Sequence, residues 1–233
     1  MHLKKIDFHP EKYPQTDLYP FNLPIFQNSA PLELKRKVTF FVGENGSGKS
    51  TLLKAIARKA GIYIWEGERR RRFRYNELED HLYRYLTTTW EEGPVPGSFF
   101  ASELFHNFAA MTDEWAAADP GSLEYLGGKS LVACSHGQSH MAFFESRLKI
   151  RGLYLLDEPE NALSPRRQVE LLELLQKYAA RGEAQFIMAT HSPILMALEG
   201  AEIISFDGKA LNPIPYRETV HFNVYRDFLL NRN

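Results

Sequence analysis

Val38-Thr39-Phe40-Phe41-Val42-Gly43-Glu44-Asn45-Gly46-Ser47-Gly48-Lys49-Ser50-Thr51 is the stretch on which the fold turns. Its first five residues form a continuous β-rich, largely apolar run, the pattern of a central strand buried on both faces. Residues 43–50 break that run with glycines, and Leu52, Leu53, Ala55, Ile56 and Ala57 then resume with helical periodicity. The expected order is strand, loop, helix. Residues 43–50 also fit the pattern G-x-x-x-x-G-K-[ST] in full, in the context that its chemistry requires. Glycines let successive backbone N–H groups turn inward around a phosphate, and the helix N-terminus adds a favourable dipole. Lys49 then reaches the β- and γ-phosphates, and the Ser50 hydroxyl can ligate Mg²⁺. Gly43, Glu44, Asn45, Gly46, Ser47, Gly48, Lys49, Ser50 and Thr51 are therefore the candidate phosphate-binding set, with ATP and Mg²⁺ as the implied ligand and metal.

Outward from this stretch, strand-like and helix-like segments alternate, which points to an α/β fold with a mostly parallel sheet flanked by helices. Residues 153–156, 185–189 and 202–206 read as strands. Ser164-Pro165 reads as the start of a helix, a capping hydroxyl followed by proline at the first helical position. Residues 66–128 are less regular and read as a small helical insertion, including an amphipathic stretch at 76–86 packed on the core. One domain over 1–233 carrying this insertion is the expected organisation.

The run 152–156 ends in Asp157 and Glu158, two carboxylates expected at the carboxyl edge of the sheet, where the glycine loop also lies. Asp157 would hold Mg²⁺ through water, while Glu158 would polarise the water that attacks the γ-phosphate. After the next apolar strand, Ala189-Thr190-His191-Ser192-Pro193 should project His191 from the same edge, within hydrogen-bonding reach of the γ-phosphate. Glu158, His191 and Lys49 are the expected catalytic residues, and Ser50 and Asp157 the metal ligands.

With these motifs in order, Cys134-Ser135-His136-Gly137-Gln138 resembles the LSGGQ signature of ABC-type ATPases, with Cys134 in place of leucine and His136 in place of the first glycine. The resemblance implies that Ser135, Gly137 and Gln138 complete the nucleotide site of a second chain, so that hydrolysis takes place in a head-to-tail homodimer. A helix starting near Ser135 would offer free N–H groups and dipole to an anion. Residues 160–165 take the place of the family's D-loop. The family's Q-loop glutamine is missing, since no Gln occurs between Gln27 and Gln138, and Ser102 with Glu103 stand as substitutes. Tyr19 or Phe21 lies where an adenine-stacking aromatic would sit, with a buried structural aromatic as an alternative of at least equal weight. The chain is also similar to small stand-alone bacterial ATPases of ABC or AAA type, relatives of RecF and SMC heads. The segment between Lys49 and Ser135 has no sustained heptads and is too short for a long coiled-coil arm.

Composition narrows the partners. A net charge of −1 gives no global attraction to nucleic acid or membrane, so any such contact needs a local patch. The one dense patch is Arg69, Arg70, Arg71, Arg72 and Arg74, a candidate for nucleic-acid phosphates, with a solvated charged face as the plainer alternative. Cys134, His136 and His140 have partial metal-ligand spacing but lack a fourth ligand, which disfavours zinc. The single cysteine excludes a disulfide framework, and no apolar run reaches the length of a membrane span or a signal peptide. A cytoplasmic, ATP-driven dimerisation switch is the expectation, working on nucleic acid, in defence or through an unidentified protein partner. The alternative is the nucleotide-binding subunit of a membrane transporter, and a module that holds ATP without turnover is a third reading.

Overall fold

The computed structural model describes residues 1–66, 76–118, 131–132 and 135–232. Along the first half run β1 (Leu3–Phe8), α1 (Pro24–Asn28), β2 (Leu32–Glu33), β3 (Val38–Val42), α2 (Lys49–Lys59), β4 (Leu86–Trp90), β5 (Gly97–Ala101) and α3 (Phe105–Ala118). The second half adds α4 (His136–Arg147), β6 (Gly152–Asp157), α5 (Pro165–Arg181), β7 (Ala184–Ala189), α6 (Pro193–Met196), β8 (Glu202–Ser205), β9 (Asn212–Pro213) and α7 (Val220–Leu230).

Six strands form the main sheet in the order β5-β6-β7-β3-β8-β9, parallel except for β9 at one edge. Its central strands are largely apolar because successive side chains enter different cores, Thr39 and Gln185 being the polar exceptions in β3 and β7. Phe41, Leu155 and Ile187 pack towards α2, while Phe40, Val42, Leu156, Phe186 and Met188 pack towards α4 and α5. Burying each of these side chains contributes roughly 1.5–3 kcal/mol, which is why the strand interiors contain so few polar residues. A second, antiparallel sheet in the order β2-β1-β4 covers α2 from the outside, with Leu3, Ile6 and Phe8 in the same core as Leu52, Leu53 and Ile56. The P-loop helix is thus held between two sheets.

Two sequence expectations are corrected here. The stretch 66–128 is not simply helical, since it supplies β4 to the small sheet and β5 to the edge of the large one. β5 is drawn in because Phe99 and Phe100 bury on opposite faces while Gly97 approaches the backbone of Leu153 too closely for a side chain. The amphipathic stretch 76–86 is a turn followed by a 3-10 helix at Leu82–Tyr85 instead of an α-helix. There Asn76 Oδ1 accepts from the Leu78 N–H, a local bond that competes with helix formation, and Arg58 fixes the turn by donating to Asp80 O.

Candidate nucleotide-binding site

Strand register assembles the site. Phe41 and Asp157 both pair with Ala189, so β3, β6 and β7 end level with one another. The loop 43–48, the acidic pair and His191 therefore emerge side by side at the carboxyl edge. β5 adds Ser102 and Glu103 to this edge, since Ala101 pairs with Asp157, and β8 adds Asp207, since Val42 pairs with Ser205.

The loop needs its glycines. Gly43, Gly46 and Gly48 have φ of +144°, +81° and +102°, conformations that side-chain-bearing residues rarely adopt. A Cβ at Gly43 would lie 2.9 Å from Asp207 Oδ1, the same oxygen that accepts from the Glu44 N–H at 2.9 Å. Lys49 is buried at the start of α2 and donates to Gly43 O at 2.6 Å and Glu44 O at 2.9 Å. Burial lowers its pKa, while Glu158, Asp157, Asp207 and Glu44 act in the opposite direction.

Ser50 Oγ donates to Asp157 Oδ1 at 2.9 Å, which joins the first turn of α2 to the end of β6. Desolvation pushes the Asp157 carboxyl up to about 6 despite that bond. A hydroxyl and a buried carboxylate held side by side form a hard-oxygen donor set suited to Mg²⁺, and a cation there would remove the desolvation penalty. Glu158 follows in the left-handed region at φ 48° and ψ 53°, the one such residue apart from glycine among those described. This strain costs about 1–2 kcal/mol and is over-determined by its surroundings. The Glu158 N–H donates to Ala189 O at 2.9 Å, and Asn161 Nδ2 donates to Glu158 Oε2 at 2.7 Å.

His191 Nε2 is buried without a hydrogen bond and faces Glu158 Oε1 at 3.7 Å. Its Nδ1 meets His221 Nε2 of α7 at 2.9 Å. Desolvation, together with Lys49, keeps the His191 ring below its ordinary pKa and therefore neutral around pH 7. Glu160 lies beneath, accepting from Thr190 Oγ1 at 2.8 Å and from the His191 N–H at 2.6 Å. Its burial raises the pKa, and Oε2 has no partner.

Several expected residues stand elsewhere. Ser135, Gly137 and Gln138 occupy the N-terminus of α4, where Ser135 Oγ donates to Gln138 Oε1 at 2.9 Å, and neither hydrogen bond of the Ser135–Gln138 pair runs to the loop 43–50 of the same chain. Gly137 is tied to the D-loop-like segment, since a Cβ there would lie 2.8 Å from Ala162 O. Phe21 is fully buried against Tyr13 and Tyr85, which selects the structural-aromatic reading for it over the adenine platform. Tyr19 instead hydrogen-bonds Thr51 and lines a cavity of about 120 Å³ with Ser50, Lys54 and Arg58. Glu103 accepts from Lys54 Nζ at 3.1 Å. His140 packs edge-on against Phe100 and Phe105, and burial pushes its pKa down to about 4, as for a core histidine. Cys134 and the arginines Arg69, Arg70, Arg71, Arg72 and Arg74 lie outside the described residues. Sequence reasoning missed His221 and the buried role of Glu160. A histidine beside the apolar residues Val220, Phe222 and Val224 was the local signal for the first, and the run Asp157-Glu158-Pro159-Glu160 for the second.

Comparison with known proteins agrees with this geometry. The family profile described as "AAA domain" matches residues 21–61, across the P-loop. The profile described as "AAA domain, putative AbiEii toxin, Type IV TA system" matches residues 140–197, across the acidic pair and His191. The thiamine import ATP-binding protein ThiQ of Cereibacter sphaeroides is 31% identical over 187 residues, 75% of this chain and 79% of that protein. The probable siderophore transport system ATP-binding protein YusV of Bacillus subtilis is 24% identical over 196 residues, 76% of this chain and 70% of that protein. The solved structure titled "An inward-facing conformation of a putative metal-chelate type ABC transporter" superposes with a TM-score of 0.53 at 15% identity, over 94% of this chain and 86% of that one.

Proposed function

This chain belongs to the ABC-type P-loop ATPases, which bind and hydrolyse ATP, and from that premise we propose that it is an ATP-driven switch closing head to tail as a homodimer around two Mg-ATP. The observation that supports the reading is the 2.9 Å bond from Ser50 to Asp157 beside Glu158 and His191, since side chains of these types at one edge suit a metal-ligand pair, a base and a donor. Ser50 and Asp157 would hold Mg²⁺, which would supply charge neutralisation for the phosphates. Lys49 turns from Gly43 O and Glu44 O to those phosphates, with the loop N–H groups of residues 43–51 around them. Glu158 holds and deprotonates the attacking water, with its carboxylate aimed by Asn161. His191 donates Nε2–H to the γ-phosphate, and Ser135, Gly137 and Gln138 at the N-terminus of α4 reach the nucleotide of the partner chain.

Glu158→Gln keeps the shape and removes the base. It should bind ATP, lose turnover by about 10²-fold or more, and run as a dimer on sizing chromatography with Mg-ATP. Turnover at the wild-type rate would place the base elsewhere, and inactivity without any ATP-dependent dimer would sink the composite site.

The relatives' names favour a second reading, a nucleotide-binding subunit of an importer. Among the described residues no helix is long and apolar enough to cross a membrane, so in this reading the membrane-spanning part lies outside them. ATP-independent co-purification with a membrane protein from the native host would establish it over the free dimer.

A further inference from the structure

The hydrogen bond between the two histidines has one proton for two nitrogens, and which ring supplies it decides what His191 can do. If His191 Nδ1 carried the proton, Nε2 would turn a lone pair towards the Glu158 carboxylate, which lies 3.7 Å away. If His221 Nε2 carries it, His191 keeps its own proton on Nε2 and points an N–H at that carboxylate. Electrostatics favour the second arrangement. Burial and the ammonium of Lys49 hold both rings below their ordinary pKa, so a neutral pair sharing one proton is the state near pH 7. Glu158 and Glu44 oppose that lowering at His191, and Asp207 and Glu44 oppose it at His221, each more weakly than burial.

The turn that carries His221 is fastened by hydrogen bonds and packing outside the loop 43–50. Thr219 caps α7 by accepting from the Phe222 N–H at 3.2 Å and is itself buried. Tyr216, in the preceding turn, donates its hydroxyl to Pro193 O at 2.9 Å and packs on Phe222. Pro193 is two residues from His191, so the segment carrying His221 is fastened to the segment carrying His191. The ring centroids stand 5.1 Å apart at 57°, a tilt that accompanies the hydrogen bond without parallel stacking.

We infer that His221 is a positioning residue for His191, donating from Nε2 to His191 Nδ1 so that His191 presents Nε2–H to the site edge beside Glu158. The inference deepens the role proposed above for His191 as a donor to the γ-phosphate and rests on it. It also connects the active edge to α7, an element that none of the nucleotide motifs includes.

The test compares His221→Leu, His221→Gln and His191→Ala by steady-state turnover of Mg-ATP, with folding checked by thermal melts. Long-range ¹H–¹⁵N spectra of histidine-labelled protein report the His191 tautomer in parallel. His221→Leu should lower kcat about 10-fold with KM for ATP nearly unchanged, and should shift His191 away from the Nε2–H form. His221→Gln, whose amide can still donate to Nδ1, should restore most of kcat. Wild-type kcat in His221→Leu alongside a dead His191→Ala would overturn this inference and leave the function intact, as would equal losses in Leu and Gln variants with the tautomer unmoved. Full activity in His191→Ala would instead remove the proposed role of His191. The tautomer spectrum would then still decide whether His221 orients it, and a wild-type His191 protonated on Nδ1 would refute that.

Discussion

Lys49 donates to two backbone carbonyls of its own loop, at 2.6 and 2.9 Å, so its ammonium is already placed where phosphate oxygens would replace those carbonyls. Lys49→Ala removes the one ammonium the loop sequence supplies. ATP affinity measured by calorimetry should fall roughly a hundredfold, the ~3 kcal/mol at the upper end for hydrogen bonds to charged groups. Asp157 yields a pH prediction from its raised pKa. With about 6 in the folded chain against a reference of 3.8, the folded state binds the proton more tightly. Its contribution to stability is therefore fully present below the reference value and lost as pH rises through about 6. Asp157→Asn keeps an oxygen for Ser50 and removes the titration. In metal-free buffer, denaturant melts should show the variant gaining on wild type between pH 4 and 7, by about 3 kcal/mol at most. A constant difference over that range would remove the buried carboxylate from the account, and Mg-ATP should narrow the gap at neutral pH if the metal sits there.

The elements place these residues by strand register and by glycine. Gly43→Ala would set a Cβ 2.9 Å from Asp207 Oδ1 and 3.1 Å from Phe206 Cβ at φ +144°. The backbone must shift, and with it the Glu44 N–H now fixed on Asp207. This variant should lose stability by about 1–2 kcal/mol and bind ATP more weakly. Gly61→Ala serves as its control, since Gly61 has φ +70° with open space where a Cβ would go, so it should cost stability without weakening ATP binding. Phe41→Ala, in the strand feeding the loop, should lower stability by about 3–5 kcal/mol in chemical denaturation, because Phe41 is fully buried against Phe206.

For the whole molecule, the proposed dimer would make the site composite, with the Ser135 segment of one chain completing the loop 43–50 of the other. Ser135→Arg and Lys49→Ala should each be inactive alone, yet mixing them should partly restore turnover, since one of the two mixed pockets retains an intact loop and an intact signature. Failure of the mixture to exceed either parent would favour sites complete within one chain. The arginines at 69–72 and 74 carry a separate expectation. If they meet nucleic-acid phosphates, affinity should fall with salt at about −0.9 log units per contact on duplex DNA, and their replacement by serine should flatten that slope while sparing ATP binding. Equal affinities of the two proteins at low salt would leave the tract a solvated face.

What the sequence determined by itself is local in origin. Residues 38–59 declare strand, loop and helix because burial on both faces, glycine conformations and helical periodicity are each properties of neighbouring residues. The acidic end of residues 152–158 and the histidine after 184–189 were legible for the same reason, as apolar runs that stop at groups with chemistry. Only the tertiary structure decided that these ends lie level, through the pairing of Phe41 and Asp157 with Ala189. It alone set β5 beside β6 in the parallel sheet and decided that Phe21 belongs to the core. His221 stands 30 residues along the chain from His191, and Glu160 is a buried acceptor instead of a solvated one. No spacing rule reaches such partners, because contacts across that distance depend on how sheets and helices pack and not on the periodicity within either segment.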